Sequence, residues 1–317
     1  MSTVEQEPGR HDHPLRCSPW TRAQGVDPVG SAAVFDAMVL VEWPLPWPRD
    51  VSEIPALAEA CALPGVRVMT VLPRHDESSD GRLRVVHRRR TTSNHLDGID
   101  HRVRIGEIPD LLASIIADPL ADTRGLPSAV GDSPPEVLVC GHGKRDACCG
   151  RWGTLMHVEL AARWQGTRVS RCSHTGGHRF APTAITLPDG RAWAYVEPDL
   201  LDEVVGRRGD IGRLLAHDRG NSAMEPWAQI VERALFAEHG WSWLDQHVDT
   251  AHIEVAADGR SAVVTLGWRS GRATGRVDVA RVLPVLVCGE GPESATKTSP
   301  EYRLVSLDLE PSAGHPR

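Results

Sequence analysis

The sequence predicts an α/β protein, and three observations lead to that prediction. Patterns typical of buried strands alternate with helical patterns along the first two thirds of the chain. A stretch rich in Pro, Gly and Ser, residues 121–135, divides this alternation into two series. After residue 240 the helical patterns stop, and the extended runs that follow predict a small β-rich C-terminal appendage.

The composition narrows the class of protein. Charged residues make up 24% and hydrophobic residues 41% of the 317 residues, which is typical of a globular chain with room for two domains. The net charge is −7 and the basic residues are spread along the chain, so nucleic acid is not an expected partner. No apolar stretch approaches the roughly 20 residues that cross a bilayer, so we expect no membrane partner.

The number of cysteines helps to predict the cellular compartment of the protein. The chain contains seven cysteines and opens with a polar stretch that lacks the apolar segment of a secretory signal. An odd number of cysteines without an export signal argues against a disulfide framework. We therefore expect a cytoplasmic location, where clustered Cys and His side chains more often serve metal or redox chemistry.

The first series of elements follows a polar segment, residues 1–30, that predicts a mobile tail containing Cys17 as an idle thiol. Residues 31–120 predict an N-terminal α/β domain, because apolar runs alternate there with 3.6-residue periodicity. Its predicted strands are AVFDAMVLVEW, VRVMTVLP, GRLRVVHRR and HRVRIGEI, and its predicted helices are IPALAEACALPG and IPDLLASIIADP. Residues 121–135 are predicted to be the linker to the next domain.

The second series, residues 136–225, predicts strand, loop, helix, strand, hairpin and helix in that order. EVLVC is a short buried strand, and LPDG is the turn signal of the hairpin. TLMHVELAARW is an amphipathic helix whose predicted buried face consists of Leu155, Val158, Leu160 and Ala161. This order is that of a thioredoxin-like sheet with its site loop after the first strand, and the first series is open to interpretation as a degenerate version of it.

The last part of the chain, residues 226–310, is predicted to be a helix followed by the β-rich extension. The helix is EPWAQIVERALFAEHG and ends at Gly240. Cys288 is expected to end one of the later strands as a structural residue.

Two motifs in the second series carry the chemistry. Cys140-x8-Cys149 begins directly after an apolar run, and His174-Thr-Gly-Gly-His178 follows a second extended run. The two glycines between the histidines disfavour a regular helix, so a bent backbone is expected to present both imidazoles. Two thiolates and two imidazoles at these spacings suggest a metal or iron–sulfur site.

These motifs resemble a known family. CGHGKRDACCG and SHTGGHRFAPTAITLPDG, with CSPW and LVEWPLPWPRD upstream, are similar to the sucrase/ferredoxin-like family, and the resemblance extends to about residue 240. It implies a thioredoxin-like ferredoxin domain with a [2Fe–2S] cluster. Carried over by motif, the implied ligands are Cys140, Cys149, His174 and His178, with the cysteines on the inner iron and the histidines on the outer one.

Further residues are candidates for positions around the cluster, namely His142, Lys144, Arg145, Cys148, Cys172 and Arg179. Cys148 is adjacent to Cys149, so only one of the two points inward easily, and the family spacing favours Cys149. His142 completes a Cys-x-His pair, but the Cys-x-x-His half of a Rieske pattern is missing. The basic residues would offset cluster charge or dock an anionic redox partner, or they are ordinary solvated charges.

The family resemblance, together with these motifs, favours electron transfer or redox sensing by a non-enzymatic protein. The sequence does not identify its redox partner protein. Two alternatives stay open: a structural Cys2His2 zinc site in a protein-interaction module, and a thiol oxidoreductase that uses the vicinal pair Cys148–Cys149. The sequence gives no independent sign of the paired carboxylates that glycoside hydrolysis uses, in spite of the word "sucrase" in the family name.

Overall fold

The computed structural model describes residues 15–74, 80–164 and 167–311. Its strands are β1 (Ala37–Glu42), β2 (Val66–Val71), β3 (Leu83–Thr92), β4 (His95–Val103), β5 (Ala129–Asp132), β6 (Glu136–Cys140), β7 (Arg168–Cys172), β8 (Ala184–Leu187), β9 (Arg191–Trp193), β10 (Asp218–Asn221), β11 (Val248–Val255), β12 (Ser261–Trp268), β13 (Gly271–Pro284) and β14 (Thr298–Pro311). Its α-helices are α1 (Cys17–Ala23), α2 (Ala58–Ala62), α3 (Ile108–Ala117), α4 (Thr154–Arg163), α5 (Pro198–Val205), α6 (Ile211–Leu215) and α7 (Pro226–His239).

Strands β1 to β10 form one continuous mixed sheet in the described part of the chain. Their order is β10-β9-β8-β6-β7-β2-β1-β3-β4-β5. In the first half β1 pairs in parallel with β2 and antiparallel with β3, and β3 pairs antiparallel with β4. The second half has the same arrangement: β6 pairs in parallel with β7 and antiparallel with β8, and β8 pairs antiparallel with β9. Each half therefore has the β-α-β-β-β-α order expected of a thioredoxin-like unit, and the predicted α/β class is confirmed.

The two halves meet where the C-terminal ends of β2 and β7 pair antiparallel. Val71 lies opposite Cys172, and the Ser173 N–H donates to the Thr70 carbonyl at 2.8 Å. Cys172 in turn lies opposite Cys140 at the end of β6. The joint between the halves is therefore next to the ends of the strands that carry both sequence motifs.

The central strands are apolar for a physical reason. Every residue of β1 and of β6 is buried, because helices and loops cover both faces of the sheet. The charged residue that begins β6, Glu136, is paired: it accepts from Arg84 Nη1 on β3 at 3.0 Å, and both side chains are fully buried. Such a buried pair stabilises only while both partners are present.

The C-terminal part is a separate antiparallel sheet, as predicted. Its strands run in the order β11-β12-β13-β14, and α7 packs its buried side chains against the sheet. Helix α7 ends at Gly240 with φ +63°, a backbone conformation that glycine adopts at low cost. No helix among the residues that the structure describes is long and apolar enough to cross a bilayer.

Four segments differ from the sequence-based expectations. The run HRVRIGEI, predicted as a strand, is divided between the end of β4 at Val103 and a short 3-10 turn, Ile105–Glu107, which Glu107 closes by accepting from the Arg104 N–H. The segment expected to be a tail is helical from Cys17 to Ala23, whereas residues 1–14 lie outside the described part. The segment expected to be a linker contributes β5, which pairs with β4 at the sheet edge. Cys288 lies in a turn after β13 rather than at a strand end.

The buried face of α4 also differs. The structure buries Met156 and Leu160, whereas Leu155 and Val158 are 64% and 62% exposed and Ala161 is exposed as well. The physical reason lies one turn earlier, where Gly153 packs directly on the β6 backbone and thereby fixes which face of the helix meets the sheet.

Candidate metal centre

Cys140 and Cys149 are brought together by the loop between β6 and α4. Cys140 is the last residue of β6, and Cys149 opens a π-helical turn, Cys149–Gly153, that leads into α4. A Cβ atom on Gly153 would lie 1.8 Å from the Cys140 carbonyl oxygen, so only glycine allows this approach. The close contact places the start of the helix, and with it Cys149, against the end of the strand. Both cysteines are fully buried.

The Cys140 thiol interacts with two of the predicted ligands. Its pKa is lowered well below the usual value, mainly by a hydrogen bond with Cys149 and also by the neighbouring His174 imidazole. Burial acts in the opposite direction and raises the pKa, but it does not outweigh these two contacts. The pKa of Cys149 is raised, first by the same hydrogen bond to Cys140 and then by burial. One thiolate is thus favoured in the absence of a metal, and the second thiol would release its proton when a metal binds.

The two histidines of the second motif lie side by side after β7. Gly176 and Gly177 have φ values of +87° and +67°, which confirms the bent backbone expected between them. The ring centroids of His174 and His178 are 5.9 Å apart. Burial lowers the pKa of His174, which favours the neutral imidazole that binds metals. The Nδ1 atom of His174 is buried and has no hydrogen-bond partner among the described residues.

His178 is oriented by a carboxylate. Its Nδ1 atom lies 3.3 Å from Oδ2 of Asp146, a buried residue of the loop between β6 and α4. Metal-binding imidazoles commonly donate their second ring N–H to a carboxylate in this way, which fixes the tautomer and leaves the other nitrogen for the metal.

Three arginines surround this pair of motifs, and within the described residues none of them forms an ion pair with a carboxylate. Each donates instead to a backbone carbonyl of the two motifs: Arg67 to His174, Arg171 to Gly141, and Arg219 to Gly176. All three interact electrostatically with Cys140. Burial lowers the pKa of Arg219 to about 10, so it is still charged at neutral pH. The site is therefore positive and suits thiolates or another anionic group.

The site adjoins the first half of the molecule through His142 and Arg145. Nε2 of His142 lies 2.8 Å from the Pro48 carbonyl oxygen, and burial lowers its pKa, which favours the neutral ring. Arg145 pairs with Asp50 at 3.2 Å, and both side chains are partly exposed. These contacts fix the loop rather than approach the cysteines.

The remaining residues predicted around the site have different surroundings. Lys144 is exposed, and Cys172 is fully buried in an apolar cluster with Met69 and Leu138. Arg179 donates to Ser299 at 3.0 Å in β14, so the C-terminal sheet reaches this part of the molecule.

The adjacent thiols Cys148 and Cys149 have different partners. Cys149 interacts with Cys140, whereas the Cys148 sulfur lies 3.2 Å from that of Cys288. Cys288 lies 3.5 Å from Cys17, and Asp146 contacts both. The structure therefore contains a group of metal-capable side chains, Cys17, Asp146, Cys148 and Cys288, whose ligand atoms are all within 4.8 Å of one another.

A comparison with family profiles identifies the origin of the motifs. The profile described as Sucrase/ferredoxin-like matches residues 28–220, which is more than half of the chain and includes both motifs. The chain belongs to the sucrase/ferredoxin-like family. No match was found among curated proteins or among solved structures.

The family match covers the two groups of side chains unequally, because Asp146 and Cys148 of the second group also lie inside it. Cys140, Cys149 and the two motif histidines lie inside the part that matches the sucrase/ferredoxin-like profile, whereas Cys17 and Cys288 lie outside it. Sequence reasoning missed these two cysteines, because they are 271 residues apart and no local spacing links them. Asp146 carried a weak signal, since it is the acidic residue inside the CGHGKRDACCG motif.

Proposed function

We propose that the chain is a [2Fe–2S] protein that acts in electron transfer or redox sensing, with Cys140, Cys149, His174 and His178 as the cluster ligands. The observation that supports this most directly is the position of the Cys140 thiol, which interacts with both Cys149 and His174. The unpartnered Nδ1 atom of His174 and the carboxylate-oriented ring of His178 complete a donor set of two thiolates and two imidazoles.

Burial supports the inner and outer positions in this proposal. Cys140 and Cys149 are fully buried, so they would hold the inner iron. His174 and His178 are partly exposed and would hold the outer iron, nearer to a redox partner protein. The vicinal-thiol alternative receives less support, because Cys148 and Cys149 point to different partners.

The bound cluster would supply a site that accepts and returns one electron. Neutral imidazoles in place of two thiolates reduce the negative charge, which makes addition of an electron less costly. His-ligated Rieske clusters have potentials of roughly −150 to +300 mV, against roughly −400 mV for plant-type ferredoxins. We expect this protein above the plant-type value, and the arginines around the site favour the same direction.

Spectroscopy of anaerobically purified protein tests the proposal. We expect a red-brown protein with two iron and two sulfide per chain, and an S = 1/2 electron paramagnetic resonance signal after dithionite with g values shifted towards the Rieske range. A colourless protein that holds zinc at these four ligands would replace the proposal with the structural Cys2His2 site. The full chain should be used, since the ten-stranded sheet includes both halves.

Arg67 should raise the reduction potential through its charge. A unit charge about 10 Å away is worth roughly 1.7 kcal/mol at an effective dielectric constant near 20, which corresponds to tens of millivolts for one electron. We expect Arg67→Met to lower the midpoint potential by on the order of 50 mV. The matched variant Arg67→Lys keeps the charge and should stay near the wild-type value. Equal shifts in both variants in a redox titration would assign the effect to packing instead.

A further inference from the structure

A second cluster of metal-binding side chains lies beside the proposed iron–sulfur site and is separate from its ligands. Cys17 comes from the first turn of α1, Cys148 from the loop between β6 and α4, and Cys288 from the turn after β13. Three distant parts of the chain thus converge on one point. Cys17 is fully buried, Cys148 and Asp146 are nearly so, and Cys288 is partly buried.

The distances suit one metal ion rather than a disulfide. The Cys148 and Cys288 sulfurs are 3.2 Å apart, and those of Cys288 and Cys17 are 3.5 Å apart, whereas a disulfide bond is about 2.05 Å long. With Zn–S bonds of about 2.3 Å, two sulfurs on a tetrahedral zinc ion are about 3.8 Å apart. An iron–sulfur cluster would hold at least one of the three thiolates on a second iron atom and therefore farther from the others.

Asp146 provides the fourth ligand position. Its Oδ2 atom lies 3.3 Å from the Cys17 sulfur, and its Oδ1 atom lies 3.5 Å from the Cys288 sulfur. A thiolate and a carboxylate oxygen on one tetrahedral zinc ion are about 3.5 Å apart. Oδ1 also accepts from the Cys148 N–H at 2.8 Å, which fixes the carboxylate in place.

We propose that Cys17, Cys148, Cys288 and Asp146 bind one structural zinc ion. Three soft thiolates and one carboxylate, whose ligand atoms lie within 4.8 Å of one another and are mostly buried, are a donor set that suits Zn²⁺. The ion joins the N-terminal helix, the loop between β6 and α4, and the C-terminal extension. This proposal does not depend on the iron–sulfur assignment, because none of its four ligands is a proposed cluster ligand.

The site also borders the proposed cluster. Nδ1 of His178 lies 3.3 Å from Asp146 and 3.6 Å from the Cys17 sulfur. A zinc ion on Asp146 would therefore fix the same carboxylate that orients His178. Zinc binding should accordingly make the histidine side of the proposed cluster more rigid.

Metal analysis of the full chain tests the zinc site. We expect one zinc per chain in wild-type protein expressed with zinc. Removal of a residue that only hydrogen-bonds to a metal ligand commonly weakens metal binding about 10- to 100-fold. Cys17→Ser and Cys288→Ser each remove a ligand itself, so they should weaken zinc binding by more than about 100-fold. Cys61→Ser removes a thiol outside the group and should retain zinc. Zinc that stays in both the Cys17 and the Cys288 variant, or that leaves only when Cys140 is replaced, would overturn the proposal.

A second measurement decides the case in which a variant does not fold. Alkylation of intact wild-type protein, mapped by mass spectrometry with and without a zinc chelator, should show joint protection of Cys17, Cys148 and Cys288 that the chelator removes. The protection of Cys61 should not change. A Cys148–Cys288 disulfide in anaerobically prepared protein, or alkylation of the three thiols that the chelator does not alter, would overturn the proposal.

Discussion

Replacing Cys149 with alanine is expected to abolish cluster binding and bleach the protein. In the proposed ligand set Cys149 completes the thiolate pair with Cys140, and it is fully buried in the loop that joins β6 to α4. Without it, one iron would lack a thiolate ligand. The adjacent Cys148 could not replace it, because the Cys148 side chain points towards Cys288. Iron and sulfide analysis with the visible absorption spectrum measures the effect, and we expect iron to fall from two per chain to a small residual fraction.

Matched controls make this prediction specific. Cys172→Ala removes another fully buried thiol at the end of the neighbouring strand, but its side chain packs among apolar residues. Iron should stay at the wild-type level in this variant and in Cys148→Ala. His174→Ala and His178→Ala should perturb or empty the cluster. A normal cluster spectrum in both histidine variants would be incompatible with the proposed ligand set.

Gly153→Ala is expected to cause the largest loss of stability for a single added methyl group. The new Cβ would lie 1.8 Å from the Cys140 carbonyl oxygen and 2.8 Å from its carbonyl carbon. Both are backbone atoms of a central strand, so no side-chain rotation relieves the overlap. Overpacking commonly costs 1–3 kcal/mol, and we expect this variant to lose about 3 kcal/mol or more of its free energy of unfolding. Chemical denaturation followed by circular dichroism measures it.

The same substitution should also disturb the site. To relieve the overlap, the π-helical turn must move away from β6, and Cys149 moves with it. We therefore expect iron content to fall together with stability. Gly106→Ala is the control, because no atom lies within 4 Å of its added Cβ, and surface changes of this kind stay within about 0.5 kcal/mol. Equal stability of the two variants would show that Gly153 does not hold the turn against the strand.

Much of the fold could be predicted because it depends on local patterns. The predicted strands that became β1, β2 and β6 are runs of mostly apolar, β-branched residues, and their burial follows from that composition. The bend between His174 and His178 was readable from the two glycines. Each of these features depends on a few consecutive residues, so it can be predicted without knowledge of the tertiary structure.

Other features depend on contacts between distant residues. The pattern of α4 allowed two apolar faces, and the contact of Gly153 with Cys140 selects the one with Met156 and Leu160. Cys17 and Cys288 have no common spacing, because a helix and a turn at opposite ends of the chain bring them together. Arg67 and Arg219 appear as ordinary basic residues in the sequence, and only burial reveals their role.

The repeated strand order makes the molecule an internal pair of related units with divided tasks. Glu42 ends β1 opposite Val71, as Cys140 ends β6 opposite Cys172, so the first unit has a carboxylate where the second has a thiol. The loop after β1 contacts the ligand loop of the second unit through Pro48. One unit thus carries the proposed donor atoms while its counterpart supplies part of their covering, an asymmetry that a symmetric pair of identical subunits could not achieve.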